Sequence, residues 1–260
     1  MKKIVVFSGS PRKNGHTVQI VKKIEADMSD SVFEYVYLYD YEIHGCIGCK
    51  ACIRKDEIAC PYKDDVHDLL VKLENADGII LISPTYSRVV SGQLKNFIDR
   101  TNFALHRPRL INIPMVTLAT TDIGMAKNVA NYLSVIGSSL GANVIGSLAV
   151  KMGKYYNDET YKLKIENRAN QISKRFEIAL KSNEDITPTL RQLMRFNVWK
   201  TRAIVSKEMY PNDYKYWEER NWIEKDFFTA ASIPAYRKFI MTLLSKRLRK
   251  VIRTGVVYKD

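Results

Sequence analysis

The sequence predicts a doubly wound α/β fold over residues 1–182, followed by a basic helical extension over residues 183–260. Three observations carry this reading. Five short, nearly all-apolar runs recur in the first 150 residues, stretches with helical spacing of apolar residues separate them, and polar loops rich in Gly, Ser, Thr or Pro follow the runs. Strands apolar on both faces belong in a parallel sheet with helices on each side. A composition of 46% hydrophobic and 27% charged residues is that of a chain able to bury a core.

Lys3–Ser8 (KIVVFS) reads as the first strand because it is a β-branched run that ends in the turn cluster GSPRKNG. Val18, Val21 and Ile24 then recur at helical spacing over Thr17–Met28. Val32–Tyr39 alternates with aromatics and reads as a second strand. Asp64 or Asp65 is placed to cap a helix through Val66, Leu69, Leu70 and Leu73. Gly78–Ser83 (GIILIS) is the third strand, stopped by Pro84, and Gly92–Thr101 the next helix. Pro114–Ala119, Ala126–Leu140, Asn143–Val150 and Tyr161–Leu180 complete the alternation as strand, helix, strand and helix. Five strands with these crossovers fit the flavodoxin-like order 2-1-3-4-5, in which ligands sit beyond the carboxyl ends of the strands near the switch point. The loops to watch are therefore 8–17, 40–63, 84–92 and 120–125.

In the first of these, backbone N–H groups and the positive end of the following helix would meet a phosphate. Ser10, Asn14 and Thr17 add donors, and Arg12 adds a charged fork. The loop is neither a P-loop nor a GxGxxG fingerprint, and a polar turn before any helix would look similar. In the third loop Thr85, Tyr86 and Ser87 can offer amides and a flat aromatic edge to a planar ring. Thr120-Thr-Asp-Ile-Gly124 closes the same sheet edge. Three such loops together point to a pocket for a phosphorylated planar cofactor.

GSPRKNGHT, the cysteine stretch followed by Lys63–Asp65, Ala76–Tyr86 (ADGIILISPTY) and Ser91–Arg100 (SGQLKNFIDR) resemble the NADPH-dependent FMN reductases, and within them the iron–sulfur flavoproteins. The resemblance covers roughly residues 1–180 and implies FMN. It implies that Ser8, Ser10, Arg12, Asn14 and Thr17 hold the phosphate, that Pro84, Thr85, Tyr86 and Ser87 lie along the isoalloxazine ring, and that Thr120, Thr121 and Gly124 close the other side. It also implies a homodimer or homotetramer.

All four cysteines fall within residues 45–61, as Cys46-x2-Cys49-x2-Cys52-x7-Cys60 followed by Pro61. Two CxxC steps sharing the middle cysteine wrap three thiolates around one point, which favours three corners of a [4Fe–4S] cubane with a more distant fourth ligand. Zinc sites more often show two separated CxxC knuckles. Unmetallated packed thiols remain the alternative. The N-terminal apolar run is too short for a signal peptide and no stretch approaches a membrane span, so a cytoplasmic location is expected, where disulfides are rare.

These features lead to an FMN oxidoreductase or electron-transfer flavoprotein, supplied by NAD(P)H or a ferredoxin-like donor, in which electrons pass between FMN and the cluster. A cluster-free NAD(P)H-dependent flavin or quinone reductase is the runner-up, and a non-catalytic module acting through the basic tail is the rival of another class. The flavin carries the chemistry, so no catalytic side chain is required, and no Ser/His/Asp or Cys/His constellation is evident. Residues 181–260 hold 17 Lys/Arg against 9 Asp/Glu. Within them Tyr236, Phe239, Ile240, Leu243, Leu244, Leu248, Val251 and Ile252 predict a basic amphipathic helix. Packing of its apolar face on the core or on a neighbouring subunit is favoured over a membrane surface; an acidic ferredoxin-like partner suits its charge, and no nucleic-acid motif is present.

Overall fold

A computed structural model describes residues 1–182, 186–230 and 232–256. The chain runs β1 (Lys2–Ser8), α1 (His16–Ala26), β2 (Ser31–Tyr37), α2 (Ala51–Arg54), α3 (Val66–Glu74), β3 (Gly78–Pro84), α4 (Gly92–Arg100) and α5 (Phe103–His106). It continues through β4 (Pro114–Thr121), α6 (Ala126–Ser139), β5 (Asn143–Lys151), α7 (Met152–Asn157) and α8 (Glu159–Lys181). The extension adds α9 (Leu190–Val205), α10 (Pro211–Glu219) and α11 (Ala235–Val256).

The five strands are all parallel in the order 2-1-3-4-5. Alternate residues of each central strand face opposite ways. Ile4, Val6, Ile80, Ile82, Val116 and Leu118 pack in one core with α1 and α8, where Phe176 is fully buried. On β1, Val5 and Phe7 alternate with that set and are also fully buried, Phe7 lying 4.8 Å from the Phe97 ring of α4. The four- and six-residue helices α5 and α7 go beyond the sequence reading. So does the exchange of caps at α3: Asp65 stands at its N-cap, but the carboxylate accepts from the Glu42 N–H at 2.7 Å instead of capping the helix.

Two compact units form. The first comprises Met1–Cys46, Asp64–Thr101 and the chain from Arg109 through α8. The second comprises Ile47–Lys63, Asn102–Pro108 and the described residues after 185. Its core is aromatic: Phe196, Trp217, Trp222, Phe227 and Phe228 form a chain of ring contacts at 4.8–6.0 Å. A capping box of Thr189 and Gln192 starts α9, and Pro211 opens α10, where its missing N–H costs nothing.

α11 covers only part of its apolar surface within the chain. It lies along α9 with Met241 buried, whereas Tyr236, Phe239, Leu243 and Val251 are 57–65% exposed. The apolar residues span two adjacent stripes, too wide an arc for one neighbouring helix to cover. Among the described residues no helix is long and apolar enough to cross a membrane.

The second unit also buries a polar group. His106 Nδ1 lies 2.8 Å from Asp213 Oδ2, and Arg202 Nη1 lies 2.7 Å from His106 Nε2. Because a guanidinium only donates, Nε2 accepts, and Nδ1–H donates to Asp213. Burial holds the imidazole pKa below its ordinary 6.5, against the opposing pull of Asp213. A His with a depressed pKa binds its proton more weakly folded than unfolded, so its contribution is full above the unfolded value and is lost as pH falls through that window. The second unit is therefore expected to melt at a lower temperature at pH 5.5 than at pH 7.5. All three tryptophans, Trp199, Trp217 and Trp222, lie in the extension, so a tryptophan-fluorescence melt reads this unit selectively.

Candidate functional site

The parallel register brings the carboxyl ends of β1, β3 and β4 together, pairing Ser8 with Ile82 and Pro84 with Thr120. The loops leaving these ends line one cleft. Ser10, Arg12 and Thr17 enter it from the first loop, Pro84, Thr85 and Tyr86 from the second, and Thr120 and Thr121 from the third. The remaining expected residues sit around this set. Ser8 is fully buried and accepts from the Ser10 N–H at 3.2 Å, which shapes the loop from beneath. Asn14 is exposed, Ser87 occupies the tip of a turn, and Gly124 lies in the exposed loop after β4. Gly15, His16, Asp122 and Met152 line the cleft without having been singled out in the sequence. Met152 follows β5 directly, so the strand order was the signal that could have found it.

The first loop is built for an anion. Gly15 caps α1 with no side-chain acceptor, and the first turn holds no acidic residue. Its leading N–H groups thus lack an intrahelical partner, and the positive end of the helix dipole faces the same way. Ser10 Oγ accepts from the Arg12 N–H at 3.1 Å and curls the loop. Thr17 Oγ1 and Thr120 Oγ1 lie 2.7 Å apart, tying α1 to the end of β4.

The second loop is a tight hairpin. Tyr86 and Val89 exchange backbone hydrogen bonds at 2.9 and 3.0 Å around Ser87 and Arg88, whose φ values are 47° and 73°. Two positive φ values in succession mark a type I′ turn, which non-glycine residues adopt only at some cost. The turn leaves Tyr86 43% exposed. Thr85 Oγ1 is buried with no hydrogen-bond partner, although the Thr85 N–H reaches Thr120 O at 2.8 Å. An orphaned hydroxyl, an uncapped helix start and an exposed aromatic face fit a phosphorylated, planar, hydrogen-bonding ring system.

The cysteine loop is pinned at its stem, within the first unit. Arg100 of α4, with its side chain 4% exposed, forks onto Asp64 at 2.6 and 3.0 Å and also donates to His44 O at 3.2 Å. The Asp64 carboxylate accepts from the His44 N–H at 2.9 Å as well. Burial pushes Asp64 up, but the Arg100 guanidinium and the His44 N–H outweigh it and hold the carboxyl below its ordinary 3.8. Residues 44 and 64, on either side of the four cysteines, are thereby held together.

Within the loop, Gly48 and Lys50 adopt positive φ values of 71° and 58°. Cys46 and Cys49 are exposed, and Cys52 and Cys60 are half-buried. Among the described residues no three His, Cys, Asp or Glu side chains gather closely enough to hold a metal ion. The donor set suits an iron–sulfur cluster by its chemistry, but the thiols are not preassembled around one point.

Comparison with known proteins decides the family, because the model of the NADPH-dependent FMN reductases matches residues 2–157. The chain belongs to that family. An iron–sulfur flavoprotein of Clostridioides difficile is 30% identical over 232 residues, covering 85% of this chain and 99% of its own. An iron–sulfur flavoprotein of Archaeoglobus fulgidus is 29% identical over 227 residues, covering 85% of this chain and 100% of its own. Among solved structures, an oxidoreductase from Corynebacterium diphtheriae superposes with a TM-score of 0.52 at 14% identity, over 69% of this chain and 97% of its own. That likeness concerns the fold, and it agrees with the flavodoxin-like order of the sheet.

Proposed function

We propose that this FMN reductase family member is an electron-transfer flavoenzyme in which FMN works with a [4Fe–4S] cluster on Cys46, Cys49, Cys52 and Cys60. The observation that carries the flavin half is the cleft itself: three loops converge where a helix start has no cap and the buried Thr85 hydroxyl has no partner. The cluster half rests on the cysteine spacing and on the likeness to the two iron–sulfur flavoproteins.

When bound, FMN supplies acceptance of a hydride and release of electrons singly or in pairs. The chain's own contribution is to bind and orient. The first-turn N–H groups of α1, with Ser10, Arg12 and Thr17, hold the phosphate, and Ser8 and Asn14 support that loop. Pro84, Thr85, Tyr86 and Ser87 flank the ring on one side, with Thr120, Thr121 and Gly124 on the other. Cys46, Cys49, Cys52 and Cys60 would hold the cluster. NAD(P)H or a ferredoxin-like acidic protein is the donor we favour, the latter for the cationic extension. A homodimer or homotetramer in the cytoplasm completes the proposal.

A second reading, cluster-free NAD(P)H-dependent reduction of flavin or quinone, needs the same cleft and no metal on the cysteines. Iron and acid-labile sulfide in anaerobically purified protein separate the two. The phosphate assignment has its own test in Arg12→Ala. Loss of one charge-assisted hydrogen bond, worth about 1.5–3 kcal/mol, is expected to weaken FMN binding by roughly ten- to a hundredfold. Titration of flavin fluorescence with apoprotein measures it, and an unchanged Kd would remove Arg12 from the site.

A further inference from the structure

Arg107, the residue after α5, is buried in the second unit and reaches three ways with one guanidinium. Nη2 donates to the carbonyl oxygen of Cys52, Nη1 lies 3.3 Å from Glu57 Oε2, and Nε lies 3.4 Å from Asp213 Oδ1. Its side chain is 6% exposed, that of Asp213 3% and that of Glu57 19%. Two of these three partners, Cys52 and Glu57, belong to the arm of the cysteine loop between the third and fourth cysteines. The other, Asp213, stands in the first turn of α10. The neighbouring residue, Asn212, donates its side-chain amide to the carbonyl oxygen of Lys55, on the same arm.

Asp213 is itself held from behind. His106 donates to its other oxygen, and Arg202 of α9 fixes the tautomer of His106. The Trp217 indole N–H donates to His106 O at 2.7 Å and ties this turn to the aromatic core. The extension therefore supplies a rigid, charge-balanced anchor whose free end grips residues 52–57. A planar guanidinium can donate to a carbonyl while its charge faces two carboxylates, the Nε–Oδ1 contact with Asp213 being an ion pair without a hydrogen bond, and a lysine ammonium cannot span all three in this geometry.

We infer that Arg107 is a positioning residue for the Cys52–Cys60 arm, with the C-terminal extension as its scaffold. The inference deepens the cluster reading above and rests on it for its consequence in iron binding, while the grip on the arm stands on the contacts of Arg107 and Asn212 themselves. The extension thereby serves to hold two of the four thiols in place before a cluster is present. Positioning of ligand-bearing backbone by surrounding hydrogen bonds is a general determinant of metal affinity.

The test uses full-length, iron-free protein and follows the alkylation rate at each cysteine by mass spectrometry. Arg107→Gln is expected to raise the rates at Cys52 and Cys60 by about tenfold, with Cys46, in the first unit, as the internal reference. Glu57→Gln removes one partner at a less buried position and is expected to give a smaller rise at the same two sites. It carries the test if Arg107→Gln fails to fold. Phe196→Leu loosens the aromatic core without touching the arm, and it is expected to lower the melting temperature while leaving both rates unchanged at 25 °C.

Unchanged rates in Arg107→Gln, or in Glu57→Gln should that variant alone fold, overturn the inference. So does an equal rise in Phe196→Leu. Anaerobic reconstitution with iron and sulfide then reads the consequence: Arg107→Gln is expected to take up less iron than the wild type at equal FMN content. A wild-type protein that takes up no iron contradicts the cluster reading, while the alkylation rates still decide whether Arg107 holds the arm.

Discussion

Arg100→Leu is expected to destabilise the first unit by about 3–5 kcal/mol, the usual cost of leaving one member of a buried ion pair without its partner. Asp64, with its side chain 1% exposed, would keep the bonds from the His44 N–H at 2.9 Å, the His44 ring at 3.2 Å and the Val66 N–H at 3.5 Å, none of which supplies the lost guanidinium charge. The carboxyl would then be pushed toward its neutral form, so the loss should be smaller at low pH. A urea titration followed by far-UV circular dichroism checks the size of the effect through a lower midpoint with an unchanged slope. Arg100→Leu combined with Asp64→Leu is expected to recover part of the loss, because no stranded charge remains. Failure to recover any would mean that Arg100 acts through its bond to His44 O instead.

The second large effect concerns Gly9. A Cβ at this position would stand 2.6 Å from Ser91 Oγ and 2.9 Å from Leu94 Cβ, both in a packed interior. Overpacking of this kind costs about 1–3 kcal/mol, and the strain falls on the loop that carries Ser10 and Arg12. Gly9→Val is therefore expected to weaken FMN binding by roughly tenfold or more, with the sheet intact by circular dichroism. Equal flavin content in wild type and variant after purification would show that the loop can move aside without disturbing the site.

The sheet was legible in the sequence because buried parallel strands announce themselves as uninterrupted apolar runs, and GIILIS at Gly78–Ser83 has no other comfortable place. The convergence of three polar loops followed from strand order alone. The contacts that make those loops a site were not legible. Thr17 and Thr120 are 103 residues apart, and nothing local marks their hydroxyls as partners. The same holds for Arg107 and Asp213, far apart in the chain, whose ion pair no local pattern marks. For α11 the helix was legible but the cover was not: its apolar positions fill two stripes, and periodicity alone does not say how wide a face its neighbour covers. The Thr189-x-x-Gln192 capping box that starts α9 is a local pattern the sequence reading passed over.

One measurement bears most directly on the central claim: anaerobic purification of the full chain, followed by its absorption spectrum and assays for FMN, iron and acid-labile sulfide per chain. The expected result is about one FMN, with about four iron and four sulfide as for a [4Fe–4S] cluster. Replacing any one of Cys46, Cys49, Cys52 or Cys60 with Ser should remove iron and keep the flavin. A colourless protein that takes up no FMN on reconstitution would contradict the account at its root, whereas a yellow protein without iron would leave the cluster-free reductase standing.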